Sequence, residues 1–218
     1  RQPGSSIKPL IVYTPAFERG YDPNTIVDDH KFEGGPSNAT NTYAGKIQLR
    51  YAVAKSLNTV AWQVYEQVTP KVGLQYLKNM NFSSIVKDDY TLATSLGGFT
   101  KGVSPLEMAS AYTALENDGM FRQPNCIKSI VDADENVVYS SQMTEVSIYE
   151  QDAARTMTDV LTTVMDSGTG RALKLSNMPC AGKTGTTNDH KDGWFVGYTR
   201  YYTTSVWVGC DYPKSISN

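Results

Sequence analysis

The sequence is short of the residues that most often announce chemistry. In 218 residues it has two histidines, His30 and His190, and three cysteines, Cys126, Cys180 and Cys210. The cysteines are far apart and odd in number, so no disulfide framework or metal knuckle is implied. Neither histidine has a metal-ligand spacing or a nearby cysteine partner. Both read as surface or loop residues, and two leave little room for a Ser-His-Asp hydrolase. Nothing here calls for a metal or a cofactor. The formal net charge of −2 gives no general field to attract nucleic acid or an anionic membrane. No apolar run approaches the roughly 20 residues needed to span a bilayer, and no signal peptide is visible. Internal repeats and low-complexity tracts are missing as well. What is present is an ordinary globular composition, 40% hydrophobic and 19% charged, long enough for one domain with a sizeable core.

Residues 10–44 are rich in Gly, Pro, Asn, Asp and Thr and read as a long irregular connection, of the kind that is usually functional or an insertion. "IQLRYAVAKS" is helical by period, with Ile47, Tyr51 and Ala54 on one side. "NTVAWQVYEQV" repeats valine every four residues, at Val60, Val64 and Val68, and "PKVGLQYLKNMNF" starts a further helix at Pro70. "SPLEMASAYTALENDG" carries the fullest set of helix signals: Ser104 as N-cap, Pro105 first, Glu107 three residues on, Gly119 beyond the end. Two short strands flank an Asp-Ala-Asp-Glu-Asn turn in "RQPNCIKSIVDADENVVYSS". A helix over "EQDAARTMTDVLTTVMDSGTG" ends at Gly168. The closing strands "MPCAGKTGTT", "GWFVGYT" and "YTTSVWVGCD" should form an antiparallel meander. In that meander Trp194 and Tyr198 read as core and sheet-face packing, not as a binding platform.

Three short motifs occur in order: Ser5-Ser6-Ile7-Lys8, Ser56-Leu57-Asn58 and Lys183-Thr184-Gly185. Each is weak alone. Ser-x-x-Lys arises on the order of once by chance in a chain this long, and Ser84-Ile85-Val86-Lys87 is a second copy. Asn58 by itself reads as a helix N-cap, Ser5 as another cap, and Lys183-Thr184-Gly185 as any strand end. The ordered set is the signature of serine β-lactamases and penicillin-binding proteins. Ser84 falls after Ser-x-Asn, which makes it a surface decoy.

The flanks narrow the match. "RQPGSSIKPL", "AKSLNTVA", "SLGGFTKGVSPLEMASAYTALENDG", "DSGTGRAL" and "AGKTGTTNDHKDGWFVGYT" resemble, block after block, the transpeptidase domain of class A penicillin-binding proteins, the bifunctional cell-wall synthases. The resemblance runs from Arg1 to about Lys214. It implies an α+β fold of the penicillin-binding transpeptidase and serine β-lactamase-like type: a five-stranded antiparallel sheet with helices on both faces. In that fold the first two strands precede Ser-x-x-Lys. Residues 1–218 are therefore expected to be the larger, C-terminal part of such a domain, with those strands, a glycosyltransferase domain and a membrane anchor lying upstream. The implied location is the outer face of the bacterial plasma membrane. The implied partners are peptidoglycan stem peptides on lipid II-derived glycan strands, β-lactam antibiotics, and either the upstream segment or a second copy along the last strand, whose alternating Val206, Val208 and Cys210 would otherwise face a bare edge.

The chemistry asks for these residue types. A serine hydroxyl is a poor nucleophile until a base takes its proton. Lys8 can do so only when neutral, and burial beside the positive Lys183 would favour that form. An oxyanion needs preorganised donors; Ser5 sits at a helix start, and the resemblance implies the backbone N–H of Thr186 as the second. Ser56 could relay a proton to the leaving amine. Asn58 can donate to and accept from a peptide backbone. Thr184 and Thr186, around Gly185, offer hydroxyls to a terminal carboxylate, with Lys183 adding charge. The reading is an acyltransferase that opens a D-Ala-D-Ala stem peptide on Ser5 and passes the acyl group to an amine. A β-lactamase is the alternative, but no Glu-x-x-Leu-Asn segment follows Ser-x-Asn. A penicillin-binding sensor or interaction module without turnover is the other, and no motif member is lost to favour it.

Overall fold

The computed structural model describes residues 1–216 and is a mixed helix and antiparallel-sheet fold. The chain opens with a 3₁₀ turn, Gly4–Ile7, that runs through the π-helical turn Pro9–Tyr13 into α1, Thr14–Phe17. This composite helix is the centre of the core. Ile7, Leu10, Ile11, Val12, Tyr13 and Ala16 are completely buried. The expectation of an irregular connection from residue 10 is thus wrong for Leu10–Phe17. "LIVYTPAF" is apolar all round, so it carries no amphipathic period, and Pro15 reads as a breaker. A helix buried on every side needs neither period nor strong propensity. The π register accommodates the proline. Thr14 donates its N–H to Pro9 O, and its hydroxyl donates to the same carbonyl at 2.7 Å. Pro15 has no N–H to give, and the Leu10 carbonyl takes its proton from the Tyr149 hydroxyl at 2.6 Å.

A second correction concerns the segment after α1. Ile26–Asp29 forms β1 and pairs antiparallel with β2, Gly45–Gln48, in the register Ile26↔Gln48 to Asp29↔Gly45. The expected helix over "IQLRYAVAKS" therefore starts only at Leu49; α2 spans Leu49–Ala54 and buries Leu49, Ala52, Val53 and Ala54, while Tyr51 is exposed. The helix leaves out the first two residues of the window, Ile47 and Gln48, which pair in β2.

The remaining helices agree with the sequence signals. α3, Asn58–Val68, buries Val60, Val64 and Val68, and α4, Pro70–Asn79, begins at its proline. α5, Pro105–Glu116, has Ser104 as N-cap: the Glu107 N–H donates to Ser104 Oγ at 3.1 Å, and the Ser104 N–H donates to Glu107 Oε2 at 2.8 Å. Two small pairings come next: β3, Met120–Arg122, pairs through Phe121↔Val146 with the strand Glu145–Ser147, and between them lies an exposed hairpin. The hairpin consists of β4, Ser129–Val131, and β5, Val137–Ser140, around a turn in which Asp132 Oδ1 accepts from the N–H groups of Asp134 and Asn136 at 2.9 Å each. Glu145–Ser147 is β6. Beyond it, α6, Gln151–Ser167, ends on Gly168 as expected.

The main sheet is a meander of β7, Ala181–Thr186, β8, Asp192–Tyr198, and β9, Thr203–Gly209. α6 packs on β7, and α5 on β8 and β9. Trp194 and Tyr198 are buried in it as expected. β9 ends before Cys210, so that residue does not continue the Val206–Val208 alternation; both valines are about half exposed along a strand with no second partner among the described residues.

Glu107 also ties α5 to the turn after α4, since its Oε1 accepts from the Ser83 N–H at 2.8 Å and the Ser83 hydroxyl at 2.9 Å. Loss of an N-cap side chain costs about 1 kcal/mol. Urea unfolding should therefore show Ser104→Ala down by about that amount and Glu107→Ala by about twice as much. Equal midpoints for the two variants would show that the Ser83 link contributes nothing.

Candidate active site

Ser5 is the second residue of the opening 3₁₀ turn, in which residues three apart eclipse one another; Lys8 closes that turn by donating its N–H to Ser5 O. The turn lies backbone to backbone against β7. A Cβ on Gly4, whose φ is +53°, would sit 2.8 Å from Thr186 O and 3.0 Å from Thr186 N, and one on Gly185 would strike Pro3 O. Glycine at these two positions is what lets the Ser5 turn reach the strand. The segment ahead of it is pinned too. Trp194 Nε1 donates to Gln2 O at 2.8 Å, and the Phe99 N–H donates to Gln2 Oε1 at 2.8 Å.

Two lysines meet behind this turn, both without exposed surface. Lys8 Nζ donates to Ser56 O at 2.9 Å and to Asn58 Oδ1 at 2.8 Å, with Leu57 O at 3.4 Å. Lys183 Nζ donates to Ser56 Oγ at 2.8 Å and Thr184 O at 3.1 Å. Ser56 thus bridges the pair, its carbonyl to one and its hydroxyl to the other. It holds a left-handed φ of +59° at the α2–α3 junction, a conformation that costs a non-glycine residue free energy and is common at functional sites. Neither lysine forms an ion pair with a carboxylate among the described residues. Burial first, then the charge of Lys183, hold Lys8 well below the usual lysine range; burial brings Lys183 down to about 7. A neutral Lys8 has two N–H donors and one lone pair. In that form its two short contacts would use both donors and leave one lone pair over. The Ser5 hydroxyl makes no hydrogen bond within the described residues.

The strand presents a free backbone donor at the same turn. Thr187 donates its N–H to Asp192 O, so that pair is hydrogen-bonded. By alternation the neighbouring pair, Thr186↔Gly193, is not, and the Thr186 N–H points out from the open edge of β7 toward the Gly4–Ser5 turn. Ser5, Ser56, Asn58, Thr184 and Thr186 all line one open cleft of about 1370 Å³. Lys8 and Lys183 contact Ser56 and Asn58 behind that lining, and Gly185 lies between Thr184 and Thr186 on β7. Ser84 and Lys87 do not line it, and His30 and His190 are exposed, the latter on its rim.

Residues 1–211 match the family described as penicillin binding protein transpeptidase domain. The chain belongs to that family. It is 36% identical to penicillin-binding protein 4 of Bacillus subtilis over 220 residues, covering 99% of this chain and 35% of the relative. Among solved structures it resembles penicillin-binding protein 1A from Haemophilus influenzae, with a TM-score of 0.85, 23% identity and coverage of 97% of this chain and 38% of that one. It also resembles the D,D-transpeptidase domain of a peptidoglycan glycosyltransferase from Eggerthella lenta, with a TM-score of 0.79, 26% identity and coverage of 95% and 59%. The chain spans about a third of the length of the first curated relative it matches.

Sequence reasoning misses several residues of this transpeptidase-family site. Thr169 Oγ1 lies 2.6 Å from Thr184 Oγ1 in the cleft; its signal is the block "DSGTGRAL", which matches the family without giving its threonine a role. Gln2, Asp29 and Asn38 also reach the cleft wall, and no short motif marks them.

The buried lysines make stability depend on pH. Lys183 is protonated up to about pH 7 in the fold and to about 10.4 when unfolded. Between these values the unfolded chain binds the extra proton, so stability rises with pH, by about 1 kcal/mol per unit for this group. The penalty is fully present below about 7. Melting at pH 7 and pH 9 should show a rise in the parent chain that is smaller in Lys183→Met. An identical rise in both would place the titration elsewhere.

Proposed function

We propose that the chain carries the acyl-transfer chemistry of a peptidoglycan D,D-transpeptidase of the serine type, with Ser5 as nucleophile. The observation that supports this best is the fully buried Lys8 one eclipsed turn from Ser5, with only neutral oxygen acceptors around its amine and burial beside Lys183 holding it well below the usual lysine range. In this reading Lys8 takes the Ser5 proton as Oγ attacks the carbonyl of the penultimate D-Ala. The N–H groups of Ser5 and Thr186 hold the developing oxyanion. The proton reaches the departing D-Ala amine through Ser56, whose hydroxyl is held by Lys183. An acceptor amine then attacks the acyl-enzyme, and the same groups run in reverse to regenerate Ser5 and leave a cross-link. Thr184 and Thr186 bind the terminal carboxylate, with Lys183 contributing charge, while Gly185 keeps the strand close to the turn. A β-lactam is opened by the same attack, and its leaving nitrogen stays tethered.

The same reading takes residues 1–218 as the larger C-terminal part of the domain, working at the outer face of the bacterial plasma membrane through an anchor outside this chain. No helix of the described residues is long and apolar enough to cross a membrane. The open edge of β9, with Val206 and Val208 half exposed, suits one more strand, from an upstream segment or a second copy.

Peptide mapping after treatment with a fluorescent penicillin should find the adduct on the peptide containing Ser5, and Ser5→Ala should abolish it. An adduct on Ser56 or Ser84 would overturn the assignment. Lys8→Arg should lose nearly all acylation, because guanidinium does not deprotonate, whereas Lys183→Arg should retain part of it; equal rates would refute the division of roles. With no Glu-x-x-Leu-Asn segment to activate water, the adduct should persist for many minutes. Turnover of a chromogenic cephalosporin near the enzyme median of about 10 per second would instead make the protein a β-lactamase.

A further inference from the structure

Apart from the two lysines, one buried polar cluster joins Asp29 at the end of β1, Asn38 in the connection to β2, and Thr59 in the first turn of α3. All three are at most 3% exposed. Asp29 Oδ1 accepts from Asn38 Nδ2 at 2.7 Å and from the Thr59 hydroxyl, and its Oδ2 accepts from the Ala44 N–H at 2.7 Å. A buried carboxylate with only neutral donors is expensive unless those donors are well placed. The mechanism above does not use it.

Its consequence runs through two amides. An ionised carboxylate only accepts, so Asn38 must turn its Nδ2 toward Asp29. That amide also donates to Thr42 O at 3.0 Å. Asn38 Oδ1 is then left to face α3, where it accepts from the Asn58 N–H at 2.8 Å and caps the helix. The neighbouring carbonyl, Ser37 O, accepts from Asn58 Nδ2 at 2.9 Å. That leaves Asn58 Oδ1 toward Lys8 at 2.8 Å. A reversed Asn58 amide would present N–H to Lys8 and occupy its lone pair.

We propose that Asp29 and Asn38 are positioning residues that hold Ser37 O and the Asn58 N–H in place, and with them the Asn58 amide oxygen on Lys8, so that the lysine's lone pair stays free for Ser5. The proposal rests on the reading of Lys8 as base. Neither Asp29 nor Asn38 hydrogen-bonds Ser5, Lys8 or Lys183, so both act through Asn58.

The other groups facing Lys8 limit the alternatives. Lys183 on β7 is the one charged neighbour; the α2–α3 junction contributes only the Ser56 and Leu57 carbonyls and the Asn58 amide oxygen. Loss of an acceptor from this shell destabilises the ammonium form, so the acid limb of acylation moves to lower pH. Simple loosening does the opposite. Water entering the pocket relieves the burial that depresses Lys8, and the acid limb moves to higher pH.

The test is the second-order rate of acylation of the 218-residue chain by a fluorescent penicillin from pH 5 to pH 10. Asp29→Asn keeps the shape of residue 29 but sets an N–H against either Asn38 or Ala44. Asn38→Ser keeps a helix-capping oxygen for α3 and breaks the link to Asp29. Each should lower the plateau by roughly 10- to 100-fold, the scale of a misplaced catalytic group, and shift the acid limb downward. Thr59→Val removes one donor from Asp29 while leaving both amides in place, and should stay within about twofold of the parent. A plateau unchanged in Asn38→Ser, or an acid limb shifted upward in the folded variants, overturns the proposal. If Asp29→Asn does not fold, Asn38→Ser with its cap retained decides alone. Lys8→Arg, measured in parallel, separates the two readings: parent-like acylation there removes the base, whereas its loss together with a parent-like Asn38→Ser removes only the positioning role.

Discussion

The site is organised around two lysine ammonium groups that have been denied both water and a counter-ion. Lys8 and Lys183 are fully buried, and each reaches Ser56, one through the carbonyl and the other through the hydroxyl. Such an arrangement destabilises the fold wherever either lysine is charged, and the chain offsets that cost elsewhere, in the buried, largely apolar segment from Pro9 to Phe17 and in the helices packed around it. In the proposed mechanism this lets Lys8 act as a base without a carboxylate or histidine beside it, which agrees with both histidines being exposed.

A second constraint is how close the nucleophile must come to the strand. Gly4, Gly97 and Gly185 meet at one point: a Cβ on Gly97 would strike Gly4 N, just as one on Gly185 would strike Pro3 O. The Ser5 N–H and the outward Thr186 N–H belong to the two backbones brought together here. Only the absence of side chains lets the two backbones approach this closely, as the proposed oxyanion site requires. The Trp194 and Gln2 contacts hold the turn in that place from behind.

Chemistry is more legible in the sequence than architecture. Ser5, Lys8, Ser56, Asn58 and Lys183 can be named because short motifs in a fixed order encode side chains that meet, and the capping box at Ser104 and Glu107 announces α5 because local hydrogen bonds decide a helix start. The central helix is hidden because uniform burial erases periodicity, and its proline is accommodated by a π register and the hydroxyl of Tyr149, 134 residues beyond Pro15 in the chain. The β1–β2 pairing is hidden because its strands are four residues each and separated by a connection whose order depends on Asp29 and Asn38. Neither residue belongs to a motif; both act through contacts that only the folded chain creates.

Everything proposed for Ser5 depends on Lys8 being neutral in the resting site because it is buried beside Lys183. Observation of lysine ε-carbons by ¹³C NMR across a pH titration tests this without intermediaries, with Lys8→Arg and Lys183→Met used to assign the two resonances. Lys183 should titrate at about pH 7, and Lys8 should also titrate well below the remaining lysines. Titration of Lys8 together with the exposed lysines, near pH 10.4, would contradict the neutral-base mechanism.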